Sequence, residues 1–279
     1  MDDAVSVGVL SLHDSKETKA ILNAVNALGH EGQWLRTDNL VIEIEDGEVT
    51  LEPDVDIILN RLLLSNTEQP SELLGLAKSL GRLRPMLNRP ENVLTAFHKF
   101  ATATAMGDSD VQIPDAALAL DADRLNELRG KFGEETVFKT AIGTHGGGTW
   151  KIGPGERVNP RVGDRYAFLQ ELIEQNADQR HSDLRIYVVD GEIIGSMRRY
   201  APENDWRTNV ALGGDVEGVD DLPEAAADMA LEASELVGLD YAGVDLVEGV
   251  DGWFLLEVNP TAGFSARNSL YPVHSTFIL

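Results

Sequence analysis

The 279-residue sequence predicts an α/β chain, with a small doubly wound N-terminal domain followed by α+β subdomains. Three observations carry that expectation. Strand and helix patterns alternate at the N-terminal end. A strand–glycine loop–strand unit, "VFKTAIGTHGGGTWKI", runs from Val137 to Ile152. A strand-rich tail carries acidic residues inside apolar runs, in "YAGVDLVEG" and "GWFLLEVNP".

The first domain is expected over residues 1–87. "VSVGVL" (Val5 to Leu10) is a continuous apolar run suited to a buried parallel strand. "SKETKAILNAVNALG" reads as a helix with Ser15 as N-cap and Gly29 as its stop. "VIEIEDGEVTLE" alternates about Asp46-Gly47 as a hairpin does. "VDIILN" is a second buried strand, and "SELLGLAKSLG" a second helix, capped by Ser71 and stopped near Gly81.

A second unit is expected over 88–173. It opens with one helix, "ENVLTAFHKFATATAM", and has another at "DADRLNELRG"; the glycine-loop unit and the strand "YAFLQELI" follow. The third, 174–279, has a hairpin turned by Asp190-Gly191 within "DLRIYVVDGEIIGSMRRY" and the helix "LPEAAADMALEASELVG". Its last two strands come next, and after Phe264 no helical period is visible. There is no internal repeat and no low-complexity linker, so closely packed domains are expected.

Composition narrows the function. Hydrophobic content of 43% and charged content of 25% are those of a soluble globular protein. "MDDAVSVGVLSLH" has acids where a secretory leader needs basic residues, and no apolar run reaches a membrane span. The chain lacks cysteine, which excludes disulfides and thiolate metal sites and suits a reducing cytoplasm. The formal charge is −24, a field that repels nucleic acid and anionic membranes. With 7 lysines and 16 arginines, the acidic chain has the balance of a high-salt, halophilic cytoplasm, the alternative being a merely acidic protein.

Gly143, Gly146, Gly147 and Gly148 leave loop N–H groups accessible, as an anion-binding nest requires; a tight turn between strands is the other reading. Familiar phosphate motifs fit poorly. A P-loop or dinucleotide fingerprint would run into a helix, whereas "TWKI" is strand-like. A kinase lysine would follow the glycines, but Lys139 precedes them. "HSDLR" starts like a kinase catalytic loop without the asparagine that should follow.

The acidic tail is more specific. If the last two strands pair, Asp245 meets Glu257 and Asn259, which share a face two residues apart. Two carboxylates and an amide oxygen suit hard Mg²⁺, and their apolar flanks make solvated surface acids the weaker alternative. The six histidines show no paired metal-ligand spacing; His30 and His98 read as surface or packing residues.

The order of features now matters: a lysine in a helix, a lysine before a glycine loop, "QELI", "RTN", then "GVDL…EVNPTAGF". Over roughly Asn88 to Phe264 the chain resembles the ATP-grasp carboxylate–amine ligases, nearest the RimK group of glutamate ligases and their carrier-protein and coenzyme relatives. The resemblance implies an ATP-grasp fold, with ATP and Mg²⁺ as cofactors (Mn²⁺ as the substitute ion). It implies that Lys99 and Lys139 contact nucleotide phosphates and that Gly143, Thr144, His145, Gly146, Gly147 and Gly148 close over them. Gln170, Glu171, Leu172 and Ile173 would line the adenine edge, and Asp183 and Arg185 would lie near the ATP and acyl-phosphate region. Arg207 and Asn209 would lie beside substrate and metal, with Arg207 and Arg185 in catalytic roles. Asp245, Glu257 and Asn259 would hold the metal.

The activity implied is amide formation between an amino acid, L-glutamate, and a carboxylate acceptor through an acyl phosphate, releasing ADP. The acceptor would be a small molecule, a coenzyme or a protein C-terminus, and a homo-oligomer is compatible with the pattern. Two alternatives stay open: an ATP-binding protein that has lost turnover, and a carrier-protein amino-acid ligase of the lysine/arginine biosynthetic type, which "VNPTAGF" resembles at its threonine. Relatives continue into a closing C-terminal helix where this chain has "SARNSLYPVHSTFIL".

Overall fold

The structure, a computed structural model, describes residues 4–64, 70–143, 148–163, 165–176, 178–203, 205–208 and 213–264. The first sheet has order β2-β1-β5-β6 and is parallel throughout; it consists of β1 (Ser6–Leu10), β2 (Glu31–Leu35), β5 (Ile57–Asn60) and β6 (Met86–Leu87). The hairpin β3 (Val41–Glu45) and β4 (Glu48–Glu52) turns at Asp46-Gly47, where both residues have positive φ, as a tight turn of that hand requires. Helix α1 (Lys16–Ala27) begins at Ser15, whose Oγ accepts the Thr18 N–H at 3.0 Å, and Gly29 follows it at φ +88°.

Helix α2 (Pro70–Leu83) corrects the expected boundaries. Ser71 lies inside its first turn, so it is not the cap, and the helix runs through Gly81. The stop is Pro85, which disfavours helical geometry in the residue before it.

The expected single helix after Asn88 is also corrected. It is two helices, α3 (Pro90–Phe97) and α4 (Lys99–Ala105), broken at His98. His98 has ψ 94°, its Nδ1 accepts the Ala101 N–H at 3.1 Å, and its backbone bridges to Ile142. Apolar periodicity runs through the break because both helices bury the same side. The break turns Lys99 toward the glycine-loop strand, and its N–H donates to Ala141 O at 2.8 Å.

The second sheet is antiparallel, with order β10-β11-β8-β9 and β7 beside β11. Its strands are β7 (Ala116–Ala117), β8 (Thr136–Thr140), β9 (Thr149–Ile152), β10 (Arg161–Val162) and β11 (Arg165–Glu171). Helix α5 (Ala122–Arg129), capped by Asp121, covers it through Leu125, which packs with Phe138 and Leu169.

The third sheet is antiparallel with order β14-β13-β12-β15-β16. It comprises β12 (Ser182–Val189), β13 (Glu192–Tyr200), β14 (Asp215–Gly218), β15 (Tyr241–Gly249) and β16 (Gly252–Asn259). Strand alternation gives it two unlike faces. Leu184, Ile186, Val244 and Leu246, all fully buried, face α6 (Glu224–Val237). The helix presents Ala226, Ala230 and Ala233, and these small residues let it sit close to the sheet; a larger residue at Ala230 would overpack the contact at about 1–3 kcal/mol. The other face carries charge.

Asn88, fully buried, ties the first sheet's end to the third. Its Oδ1 accepts the N–H groups of Asp240 (2.6 Å) and Tyr241 (3.1 Å), and its Nδ2 donates to Tyr241 O (2.8 Å) and Pro260 O (3.1 Å). Among the described residues, no helix is long and apolar enough to cross a membrane.

Candidate active site

The charged face of the third sheet is set by strand register. Asp245 on β15 lies opposite Arg185 on β12 and, across its other edge, opposite Glu257 on β16. Asp183, two residues from Arg185 and so on the same face, lies opposite Arg199 on β13. Arg185 grips Asp245 with two bonds of 2.6 Å, and Arg199 grips Asp183 at 2.7 and 2.6 Å while reaching Asp245 at 2.9 Å. Asp183, Arg199 and Asp245 are all buried, and such charges are tolerable in an interior only when paired in this way. Burial works to raise the Asp245 carboxyl, and the two guanidiniums work against it.

Glu257 is different, because it is only half-buried and its partner is a lysine. Lys99 Nζ bridges Glu257 Oε2 and Gly143 O, each at 2.8 Å, and so joins the third sheet to the start of the glycine loop. Burial opposes ionisation of Glu257, but Lys99 and Arg185 outweigh it and hold the carboxyl well below the usual carboxylate range. Asn259 Nδ2 lies 3.3 Å from both Asp245 Oδ2 and Glu257 Oε1, so the three side chains expected to converge do so. Among the described residues, no cluster of three or more His, Cys, Asp or Glu side chains gathers. The donor set is two carboxylates and one amide, and hard oxygens of this kind fit a Mg²⁺-class cation.

A cavity of about 1010 Å³ lies between the second and third sheets. Of the residues singled out in the sequence, Lys99, Lys139, Gly143, Gly148, Gln170, Glu171, Leu172, Ile173, Asp183, Arg207, Asp245 and Glu257 line it. Arg185 and Asn259 do not; they stand behind Asp245 and Glu257. Thr144, His145, Gly146, Gly147 and Asn209 lie outside the described residues. Four of the chain's 7 lysines line this one cavity, namely Lys99, Lys131, Lys139 and Lys151. They stand among acids that also line it, Lys99 against Glu257 and Lys151 against Glu135, so positive charge in the cavity is local to individual side chains.

Lys139 sits on β8 opposite Phe168 of β11, and no described carboxylate is in ion-pair contact with it. Burial lowers its pKa to about 8, against the pull of Glu257. A cation held at such a cost is poised for an incoming anion.

The glycines at the loop ends have a steric reason. A Cβ on Gly148 would lie 2.2 Å from Thr140 Oγ1, and one on Gly143 would lie 2.7 Å from the same oxygen. Thr140 also donates its backbone N–H to Gly148 O at 2.8 Å, so both ends of the loop close on one buried threonine.

Arg207 lies on the segment after β13. Asp205 accepts its Nε–H at 3.0 Å, its Nη2–H at 2.6 Å and its backbone N–H at 2.9 Å. Thr208 hydrogen-bonds Asp183 through its hydroxyl. Arg199 is a residue of this face that sequence reasoning did not assign to the site. The signal was the hairpin itself, which places Arg198 or Arg199 across from Asp183 and leaves the choice to register.

The profile of the RimK-like ATP-grasp domain matches residues 96–270. The tetrahydromethanopterin:alpha-L-glutamate ligase of Methanocaldococcus jannaschii is 32% identical over 205 residues, covering 71% of this chain and 69% of that protein. A probable alpha-L-glutamate ligase of Stenotrophomonas maltophilia is 25% identical over 272 residues, covering 93% and 91%. The solved structure of the ATP-grasp ligase PsnB with a minimal precursor superposes with TM-score 0.70 at 19% identity, over 93% of this chain and 92% of that one, and shares its fold. A matched profile over most of the chain and a cavity between two sheets that holds the expected lysines and carboxylates lead to one conclusion: the chain belongs to the RimK-like ATP-grasp family and is an ATP-dependent carbon–nitrogen ligase.

Proposed function

We propose that this chain joins the amino group of L-glutamate to a carboxylate acceptor through an acyl phosphate, with ATP as the phosphoryl donor and Mg²⁺ as its cation. The observation that carries the reading is the cavity in which Lys99, Lys139 and Arg207 face the Glu257–Asp245 pair.

A carboxylate resists attack by an amine because oxide is a poor leaving group. Its oxygen attacks the γ-phosphorus, the bond to ADP breaks, and the acyl phosphate forms. The amine then attacks the acyl carbon, phosphate leaves, and the amine loses a proton. The first step brings two anions together, so their repulsion must be neutralised. Lys139 and Lys99 hold the triphosphate, and Arg207 meets the transferring group. As the family resemblance implies, the glycine loop would close over the phosphates and keep water out.

Glu257, Asp245 and Asn259 would hold Mg²⁺, which supplies charge neutralisation and orientation to the phosphates. Turning the Asn259 amide exchanges its nitrogen for its oxygen and adds a third hard donor. Arg185 and Arg199 act from behind by fixing Asp245. Removing Arg207 should cost about 10²–10³ in rate, as loss of one preorganised donor does. Gln170 to Ile173, at the end of β11, form the adenine edge, and Thr144 to Gly147 and Asn209 complete the loop and substrate contacts.

The acceptor is a small molecule, a coenzyme or a peptide end, and the compartment a cytoplasm of high salt. The relatives' names as alpha-L-glutamate ligases support the choice of amine. The test is product analysis in high potassium salt with Mg-ATP, L-glutamate and a pool of carboxylates. ADP released only with both substrates, with a product heavier by one amide condensation, supports the reading; AMP release overturns it.

A further inference from the structure

Arg207 must meet a transferring group at a defined point, yet it grows from the segment between β13 and β14, where residues 201–203 and 205–208 form neither helix nor strand. A side chain with four torsions on such a segment surrenders rotamer entropy when it is fixed only on substrate arrival. One neighbour removes that freedom beforehand. The Asp205 carboxylate takes the backbone N–H of Arg207, its Nε–H and its Nη2–H, all at 2.6–3.0 Å. Asp205 is held in turn, since its N–H donates to Pro202 O at 3.1 Å. On the far side of Arg207, the hydroxyl of Thr208 ties the segment to Asp183 on the third sheet.

The geometry gives this clamp a direction. Asp205 occupies the Nε–Nη2 edge of the guanidinium and turns Nη1 toward Thr149 O, 3.5 Å away, the first residue after the glycine loop. Arg207 lines the cavity and Asp205 does not. The carboxylate therefore stands behind the arginine, where it cannot touch a ligand in that cavity. A surface ion pair of two long side chains would be worth little. Here the acid is short, partly buried, and fastened to both the backbone and the head of one residue.

We propose that Asp205 is a positioning residue for the ligase reaction, fixing the Arg207 guanidinium so that its Nη1 end meets the transferring group at the trailing end of the glycine loop. The proposal rests on the ligase reading above and extends it to a residue outside the cavity.

The experiment is a mutant cycle on the full chain with a second, turnover-free readout. D205A lowers kcat about 10- to 100-fold, the cost of a misplaced catalytic group, and leaves KM for ATP within about threefold. R207A and the double variant D205A/R207A turn over within about twofold of each other, because Asp205 acts through Arg207. If D205A slows the R207A enzyme as much as it slows the wild type, the proposal is overturned and Asp205 is a general support of the segment. The side-chain Nε–H of Arg207, assigned in NMR spectra by its loss in R207A, is rigid on the nanosecond scale in the wild type and mobile in D205A. An Nε–H that stays rigid in D205A also overturns it. The NMR arm needs no reaction, so a wild-type chain that forms no ADP would sink the ligase reading while the spectra still decide the role of Asp205.

Discussion

Glu257 stands directly opposite Asp245, one residue out of the register that the turn at Val250–Asp251 sets. Near the turn, Gly249 pairs with Gly252 and Leu246 with Leu255, a spacing that would put Leu256 opposite Asp245. A bulge leaves Leu256 without a partner and brings Glu257 onto the face of Asp245. The two carboxylates then have unlike partners and burial: Asp245, buried, has Arg185 and Arg199, and Glu257, half-buried, has Lys99.

That division predicts unlike mutants. D245N leaves two buried guanidiniums short of a charge and should cost about 3–5 kcal/mol of stability, as breaking a buried pair does. E257Q keeps a hydrogen-bonding oxygen near Lys99 and should cost about 1 kcal/mol, while abolishing Mg-ATP turnover. Denaturation midpoints alongside ADP release test the pair. Equal destabilisation by both variants would count against Glu257 as the ligand-facing acid.

Lys139 should make nucleotide binding pH-dependent. In the folded chain it releases its proton near pH 8, against 10.5 for the ordinary side chain. Between those values the unfolded state binds more protons, so this group's contribution to stability rises with pH there, and its burial cost is present in full below pH 8. A bound triphosphate restores the proton. Binding at pH 9 should therefore take up protons and be weaker than at pH 7, which calorimetry in two buffers of different ionisation enthalpy measures. K139M should remove the uptake and be more stable than the wild type at pH 7.

Gly148→Ala should displace the loop. Its Cβ would press on Thr140 Oγ1, and the nucleotide affinity should fall at least about tenfold, the cost of disturbing a positioned contact. Thr140→Ala removes that oxygen, leaving the Thr140 Cβ 3.2 Å away, and the double variant should recover most of the affinity. Fluorescent-nucleotide titration of the three variants decides it; a double variant no better than Gly148→Ala alone would mean the steric account is wrong.

Asn88→Ala strips four backbone groups, one buried and three part-buried, of their partner at the seam between the first and third sheets. At about 1–3 kcal/mol for each group left unsatisfied, part of it relieved by relaxation, the loss should be severe. Hydrogen exchange at the Asp240 and Tyr241 amides should accelerate before that of the β12 core.

Local chemistry was legible in the sequence because it is written in neighbouring residues. Ser15 and Gly29 bound α1, Asp46-Gly47 and Asp190-Gly191 turn their hairpins, and Lys139 precedes the glycine loop, all from signals within a few positions. The break at His98 was not legible, since the residue takes its extended backbone against Ile142, just past β8 and more than forty positions away.

The partners across the charged face were decided by tertiary structure alone. From the Asp190-Gly191 turn, Val188 pairs with Ile193, a spacing that would set Asp183 opposite Arg198; a bulge beyond Val188 sets it opposite Arg199 instead. The bulge beside Asp245 does the same for Glu257. A shift of one residue exchanges the faces of a strand. The sequence therefore determined which ionisable residues the sheet would carry, and the two bulges decided which of them stand opposite one another on its charged face.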